Sequence, residues 1–163
     1  MRRLAWLPAV LMIITATAAV SQTIWTRFNF APDKFSMNFP RYPEITESEA
    51  NGLKVRTYVV DDAANMVIVV VMPIGDVPDT KRAFDAAENS RKTDGGSVVS
   101  RRDFMVQGAP ASELVFRSAN GTMLMDRIIY RDGRLYQLFT TPGPDNKAQP
   151  WAGQFYESFR FLP

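Results

Sequence analysis

The chain has 163 residues, of which 46% are hydrophobic, and it contains neither cysteine nor histidine. These two absences exclude disulfide bonds, thiol nucleophiles, imidazole bases and the usual structural zinc sites. Basic residues outnumber acidic residues by 19 to 17, and two of the basic residues are Arg2 and Arg3. The charges that follow these two arginines balance, so the sequence carries no electrostatic signature of nucleic-acid binding.

The N-terminal segment has the pattern of a secretory signal peptide. A pair of arginines precedes the apolar segment Leu4–Ile14, and small residues follow as far as Ser21. We therefore predict a signal peptide over residues 1–21, with cleavage after either Ala19 or Ser21, and a secreted or periplasmic protein. The alternative is an uncleaved anchor, although the apolar segment is short for a bilayer span. In that case the protein would contact a membrane only through this segment.

Residues 22–163 are predicted to form a single domain, because no linker, repeat or low-complexity segment divides them. Three dipeptides in this region favour tight reversals of the chain: Asn51-Gly52, Asn120-Gly121 and Asp132-Gly133. Each of them predicts a hairpin. If the last is a two-residue loop, Tyr130 lies opposite Leu135 across that hairpin.

Extended segments fill most of the domain. A small opening hairpin is predicted around Pro32-Asp33-Lys34, and its second strand ends at Pro40. Four further segments have the composition of strands: Leu53–Asp61, Met66–Met72, Ser97–Val106 and Ala111–Arg117. The segment Met66–Met72 has no polar residue, which predicts a central strand covered on both faces.

One segment in the middle of the chain has a helical rather than an extended pattern. Asp79 or Thr80 is suited to its N-cap, Phe84 lies on a modest apolar stripe, and Gly95 is suited to end it. We expect this helix to lie over the sheet.

A second helix is predicted from about Asp145 to Ser158. Its aromatic residues Trp151, Phe155 and Phe159 recur at intervals of four residues, on one side of a helix. Such a stripe packs the apolar C-terminal segment onto the protein's own core. The alternative is an apolar surface for a partner. Tyr156 and Arg160, which lie off the stripe, are expected to be more exposed.

Three packing motifs give the chain a resemblance to a known family. They are FSMNFP at Phe35–Pro40, GRLY at Gly133–Tyr136 and FYESF at Phe155–Phe159. In this order they resemble the PsbP-like fold family, which includes the extrinsic PsbP subunit of photosystem II and the Mog family of Ran-binding proteins. The resemblance implies an α+β fold, in which an antiparallel β-sheet is flanked by helices on its faces as an α/β/α sandwich. It also implies a binding or assembly module, and it transfers no catalytic residue.

Four side chains on one face of the last predicted hairpin form a candidate ligand-binding site: Arg127, Arg131, Arg134 and Tyr136. Guanidinium groups bind carboxylates and phosphates through paired hydrogen bonds, so this set can hold an anionic ligand. The alternative is a solvated hairpin tip, in which nearby acids serve as counter-charges: Asp126, Asp132 and Glu113.

Two further sets of residues are weaker candidates. Asp61, Asp62 and Asn65 offer oxygen ligands for calcium, but a calcium site needs six or more oxygens, so a polar turn is the simpler interpretation. Met123 and Met125 share one strand face, as in soft copper(I) sites, but methionine is a common core residue. We therefore predict no metal site and no cofactor.

The sequence thus predicts an exported, non-enzymatic binding or assembly module of the cell envelope, with an unknown protein or small molecule as its partner. One alternative is a carboxylate-based hydrolase, for which Glu113 is the available strand acid, although this acid is also suited to a salt bridge with an arginine. The other is a small-ligand-binding protein with an Arg-lined groove. An enzyme of this kind needs a concave pocket with at least two convergent acids, whereas a binding module needs only an apolar or Arg-lined groove.

Overall fold

The computed structural model describes residues 24–61, 66–77, 79–93, 95–142 and 147–163. The predicted signal peptide lies outside these residues, as do Asp62 and Asn65 of the weak calcium set. The described residues form ten β-strands and two α-helices. Neither of these two helices has the length and apolar character needed to cross a membrane.

The strands are, in chain order, β1 Thr26–Phe30, β2 Phe35–Phe39, β3 Glu44–Ala50, β4 Leu53–Asp61, β5 Met66–Pro73, β6 Ser97–Val106, β7 Ala109–Arg117, β8 Met123–Arg131, β9 Arg134–Thr140 and β10 Arg160–Phe161. The helices are α1 Thr80–Thr93 and α2 Ala152–Ser158, and Ala31–Asp33 forms a 3-10 turn between β1 and β2. The bounds of β4 and β6 are those predicted from the sequence.

Two antiparallel sheets contain these ten strands. The large sheet has seven strands in the order β3-β4-β5-β9-β8-β7-β6, and the small sheet has three in the order β1-β2-β10. The apolar strand β5 lies inside the large sheet, between β4 and β9, as predicted. The predicted cover on both of its faces is wrong, because its residues are fully buried on one face and only partly buried on the other. The fold is therefore mostly antiparallel β-sheet with two helices.

Tight turns set the register of the large sheet. Asp132 and Gly133 have φ angles of 47° and 73°, and Tyr130 lies opposite Leu135 as predicted. The Asn120-Gly121 hairpin has a longer loop, because β7 ends at position 117 and β8 begins at position 123. A further turn at Gln107-Gly108, with φ angles of 50° and 80°, is missed by the sequence analysis. Glutamine rarely adopts the left-handed conformation, so this dipeptide gives no turn signal.

One face of the large sheet carries the main core. Alternate residues of β5, among them Val67 and Val69, are completely buried on this face. The small sheet and α2 pack onto it in one cluster of apolar side chains, against which Met125 also packs. The ring of Phe30 in the small sheet lies 4.6 Å from the ring of Tyr58 in the large sheet, measured between centroids.

A polar cluster fastens the small sheet to this face. The Asp33 carboxylate accepts a hydrogen bond from the Tyr58 hydroxyl and another from Arg56, whose Nη1 lies 3.0 Å away. The Asp33 backbone carbonyl accepts a third, from the Tyr136 hydroxyl at 3.0 Å. Burial raises the pKa of the Tyr136 hydroxyl to about 12, so it keeps its proton and remains a donor at neutral pH.

The helix α1 packs on the opposite face of the large sheet. The Asp79 carboxylate accepts a hydrogen bond from the Lys81 N–H at 3.0 Å, which is the capping role predicted for Asp79 or Thr80. Phe84 is buried in a second, smaller apolar cluster with three residues of the sheet: Leu114, Ile128 and Leu135. The helix therefore covers the sheet through a single large side chain and its neighbours.

The helix α2 begins at Ala152, so residues 147–151 of the predicted helix are not helical, while its predicted start at Asp145 lies outside the described residues. Pro150 explains part of this difference, because proline lacks an N–H and disfavours helical backbone in the residue before it. The predicted apolar stripe is nevertheless buried, and both Phe155 and Phe159 belong to the main core. The C-terminal segment is thus part of the protein's own core, as predicted.

The prediction that Tyr156 is more exposed is wrong. Only 2% of this residue is exposed, its hydroxyl donates to the Met125 carbonyl at 2.9 Å, and it lies 3.0 Å from the Thr140 hydroxyl. Phe155 meanwhile contacts the small sheet through Phe39, with ring centroids 6.1 Å apart. The helix α2 therefore buries two sides, because each side contacts a different sheet.

Phe155→Ala should lower the free energy of unfolding by about 3–5 kcal/mol, because truncation of a buried aromatic side chain leaves a cavity. Gln154→Ala is the matched control, since Gln154 is exposed on the same helix, and it should change this free energy by less than about 0.5 kcal/mol. Urea unfolding of the two variants gives both values. An unchanged midpoint for Phe155→Ala would show that the C-terminal segment lies outside the core.

Candidate ligand-binding cleft

The four predicted site residues share one face of the β8–β9 hairpin, and that face carries the main core. Arg127 pairs with Glu113 at 2.6 Å, and its guanidinium lies 4.7 Å from the centroid of the Tyr156 ring. Glu113 also pairs with Arg102 at 3.1 Å. This acid therefore has the salt-bridge role that the sequence offers as an alternative to catalysis.

The other three residues of the predicted set follow toward the end of the hairpin. Arg131 bonds Asp132 at 3.3 Å, and Arg134 lies directly opposite Arg131 in the strand pairing. Tyr136 is buried beneath the small sheet. The structure thus brings the four residues onto one face, where three of them, Arg127, Arg131 and Tyr136, are already engaged in internal contacts. Ligand binding by this set stays a prediction.

A cleft of about 450 Å³ opens on the opposite face of the large sheet, beside the C-terminal end of α1. We call it the Arg91 cleft. Its floor consists of apolar side chains from four adjacent strands: Met66, Ile68 and Val70 of β5, Phe139 of β9, Leu124 of β8 and Phe116 of β7. The rest of its described lining consists of Arg91, Gly96, Ser118, Thr140 and Thr141.

Among the described residues one helix, α1, lies on this face, and it is too small to cover it. The 14 residues of α1 make a helix that is about 21 Å long and about 10 Å wide. Seven strands spaced about 4.8 Å apart make a sheet about 29 Å across. The helix packs against β6 and β7. Leu135 of β9 still contacts Phe84, but Ile68, Val70 and Phe139 on this face extend beyond the cover of the helix.

Arg91, in the last turn of α1, lies between two aromatic rings of the lining. Its guanidinium carbon is 5.3 Å from the centroid of the Phe116 ring and 4.8 Å from that of the Phe139 ring. Its Nη2 donates a hydrogen bond to Oδ2 of Asp126 at 3.1 Å. The ion pair and the cation–π contacts together hold the charged end of Arg91 at the wall of the cleft.

Asp126 lies in the middle of β8, and its side chain is completely buried. Its partners on the neighbouring strands are Leu114 and Phe139. Burial raises the pKa of Asp126 to about 6, although the positive charge of Arg91 opposes this shift. Within the described part of the chain, Oδ1 of Asp126 and Nε of Arg91 have no hydrogen-bond partner. The pair is therefore incompletely satisfied, which is unusual for buried polar groups.

Gly96 fixes the end of α1 against the sheet. Its N–H donates to the Arg91 carbonyl at 3.2 Å. A Cβ atom at this position would lie 2.7 Å from that carbonyl oxygen and 3.0 Å from the carbonyl oxygen of Arg117. Glycine is the residue that allows so close an approach of three backbone segments. Gly96 thus helps to position Arg91 over the sheet.

Arg91 is not predicted from the sequence, and the partner predicted for Asp126 is wrong. The sequence predicts Asp126 as a counter-charge of the hairpin arginines, but neighbouring residues of a strand point to opposite faces, so Asp126 points away from Arg127. The same role predicted for Glu113 is confirmed. The seven-residue spacing from Phe84 to Arg91 places both residues on the same side of α1, and this spacing is the sequence feature that could have predicted the position of Arg91 over the sheet.

The described lining combines an apolar floor with one cation, Arg91, and with Ser118, Thr140 and Thr141, of which Thr140 points its hydroxyl toward Tyr156 on the main-core face. It contains no acid, and no group of three potential metal-ligating side chains occurs in the parts of the chain that the structure describes. Two convergent carboxylates, which the alternative hydrolase needs, are therefore absent from the described lining. The arrangement suits the binding of a mostly apolar molecule with one polar end.

The fold and the cleft define a small, mostly antiparallel β protein with a ligand-sized cavity on one sheet face, and the fold is PsbP-like. The structure of cyanobacterial PsbP from Synechocystis sp. PCC 6803 is similar with a TM-score of 0.60 and 10% sequence identity, over 91% of this chain and 99% of that chain. A Pseudomonas aeruginosa protein of unknown function has a TM-score of 0.43 and 18% identity, over 75% of this chain and 85% of that chain. No family model and no curated protein matches the chain. The predicted resemblance is thus confirmed at the level of the fold.

The buried Asp126 should make the protein less stable as the pH rises from about 4 to 7. Its pKa of about 6 in the folded state is above the value of about 3.9 in an unfolded chain. The folded state therefore binds this proton more tightly. The resulting stabilisation is complete below pH 4 and is lost as the pH rises through 6, with a total on the order of 3 kcal/mol.

Urea unfolding across this pH range measures the loss of stability with rising pH, and this loss should be absent in the variant Asp126→Asn. Asp103→Asn is a control of opposite sign, because a hydrogen bond from Arg101 lowers the pKa of Asp103 and its contribution is lost as the pH falls. Equal pH slopes for the wild type and Asp126→Asn would contradict the burial of this carboxyl group.

Proposed function

We propose that the protein is an exported, non-enzymatic binding module of the cell envelope that holds a small, mostly apolar ligand in the Arg91 cleft. The observation that supports this proposal is the cleft itself, which is an apolar cavity of about 450 Å³ with few polar groups at its edge. Small-molecule sites have this character, with volumes of about 300–1,000 Å³. Export rests on the signal-peptide pattern of residues 1–21, and an intact Met1 on the membrane-bound protein would contradict the cleavage of this segment.

The contrast between the two faces of the large sheet supports a binding role. Val67 and Val69 are completely buried on the main-core face, whereas Ile68 and Val70 on the other face are only partly buried. Removing apolar surface from water is favourable by a free energy of about 25 cal/mol per Å² of area covered. We infer an α/β/α sandwich in which α1 is one outer layer, and a ligand in the cleft completes that layer.

A carboxylate-based hydrolase is the weaker alternative. It requires one protonated acid and a second, ionised acid beside the same substrate bond. Asp126 has a raised pKa, but it contacts Arg91 and lies outside the described lining, which contains no acid. Glu113 lies on the opposite face of the sheet, where Arg102 and Arg127 balance its charge.

The neutral dye N-phenylnaphthylamine, whose fluorescence rises in apolar surroundings, tests the cleft without invoking charge. The protein should bind it saturably, and Val70→Trp should weaken binding by about tenfold or more, because the larger side chain fills the floor. Met105→Trp is the control, since Met105 is exposed on β6, outside the described lining, and it should leave binding unchanged. Absence of saturable binding, or equal binding by Val70→Trp, would contradict the proposed function.

A further inference from the structure

We propose that the ligand of the Arg91 cleft is an apolar monocarboxylate, with its carboxylate on the Arg91 guanidinium and its apolar body on the floor. This inference rests on the proposed binding function and adds the chemical class of the ligand. Three properties of the cleft carry it: the charge of its lining, the hydrogen-bond donors of Arg91 and the size of its floor.

The lining that the structure describes carries a single charge, and that charge is positive. Arg91 would repel an ammonium ligand, which would meet no acid in the described lining. A phosphate monoester carries up to two negative charges, and the second would lack a counter-charge in these apolar surroundings. One guanidinium matches one carboxylate, which it binds through two parallel hydrogen bonds.

Arg91 has hydrogen-bond donors beyond those that its protein partner uses. A guanidinium group has five N–H donors, and the hydrogen bond to Asp126 engages Nη2. The side chain remains 22% exposed and lines the cleft, where a ligand can contact it. Nε is buried, so the donors offered to a ligand are those of Nη1 and Nη2. The rings of Phe116 and Phe139 already hold the group in place. A ligand carboxylate therefore meets a cation that needs little further ordering.

Asp126 allows a second carboxylate to approach Arg91. Two ionised carboxylates on one guanidinium would leave an excess negative charge unless one of them takes up a proton. Asp126 is the group that can do so, since burial raises its pKa to about 6. The groups that face it are Arg91 from α1, Leu114 from β7 and Phe139 from β9, of which only Arg91 is charged. Binding should therefore be tighter at pH 6 than at pH 8 and should be accompanied by proton uptake.

The floor sets the size of the ligand. Four adjacent strands spaced about 4.8 Å apart give a floor about 14 Å across. The cleft volume of about 450 Å³ corresponds to about 15 groups of the size of a water molecule, at about 30 Å³ each. Dodecanoate is a suitable probe of this size, and dodecanol and dodecylammonium are its matched neutral and cationic controls.

Displacement of N-phenylnaphthylamine by these three compounds tests the inference, at concentrations below those at which they aggregate. Dodecanoate should displace the dye at a concentration about tenfold lower than dodecanol, and dodecylammonium should be the weakest of the three. Dodecanoate should also become more effective from pH 8 to pH 6, whereas dodecanol should not. Equal displacement by dodecanoate and dodecanol would overturn the carboxylate inference and leave the binding function intact. Failure of the dye itself to bind would overturn both.

Two variants test the role of Arg91 directly. The double variant Arg91→Met with Asp126→Leu replaces the ion pair by apolar side chains, a change that buried pairs often tolerate. It should lose the preference for dodecanoate over dodecanol. Arg91→Lys keeps the positive charge but lacks the paired N–H donors of a guanidinium, so it should retain part of the preference for dodecanoate over dodecanol. This variant keeps the test decisive if the double variant does not fold. A full preference for dodecanoate in the double variant would overturn the inference.

Discussion

A seven-stranded sheet has two faces to cover, and this chain covers them unequally. A second sheet and a helix close one face, where the packed residues include Phe35, Tyr58 and Phe155. On the other face, one 14-residue helix reaches the sheet mainly through Phe84. Because a helix is narrower than the sheet beneath it, the uncovered part of this face becomes a cleft. The position of the candidate site is thus a consequence of how the two layers are built.

The Arg91–Asp126 pair lies at the boundary between the covered and the uncovered part of that face. A buried ion pair gives little net stability compared with apolar side chains of the same size. Here both members also have an unpartnered polar atom among the described residues, which lowers their contribution further. A contribution to the stability of the fold is therefore a poor explanation for the Arg91–Asp126 pair. The pair is well explained as a cation held at the wall of an apolar site, with a buried carboxyl group that can take up a proton.

Local physical chemistry explains which parts of this structure the sequence predicts. The turn at Asp132-Gly133 and the strand Leu53–Asp61 depend on a few neighbouring residues, so both are predicted correctly. The hydrogen bond between Arg91 and Asp126 joins residues 35 positions apart, on elements whose packing no local pattern specifies. Tyr156 is predicted wrongly because a single apolar stripe implies one buried side, whereas α2 contacts two sheets. The motifs that carry the PsbP-like resemblance are core motifs, so they predict the fold and leave the cleft unpredicted.

The central claim is that a small apolar ligand binds on the α1 side of the large sheet, and methyl NMR during a titration with dodecanol tests it most directly. The valines of β5 alternate between the two faces, so they report which face the ligand contacts. We expect chemical-shift changes at the methyl groups of Ile68, Val70 and Leu124, and no comparable changes at Val67 and Val69. Changes confined to Val67 and Val69, or no saturable change at any of these five residues, would contradict the claim.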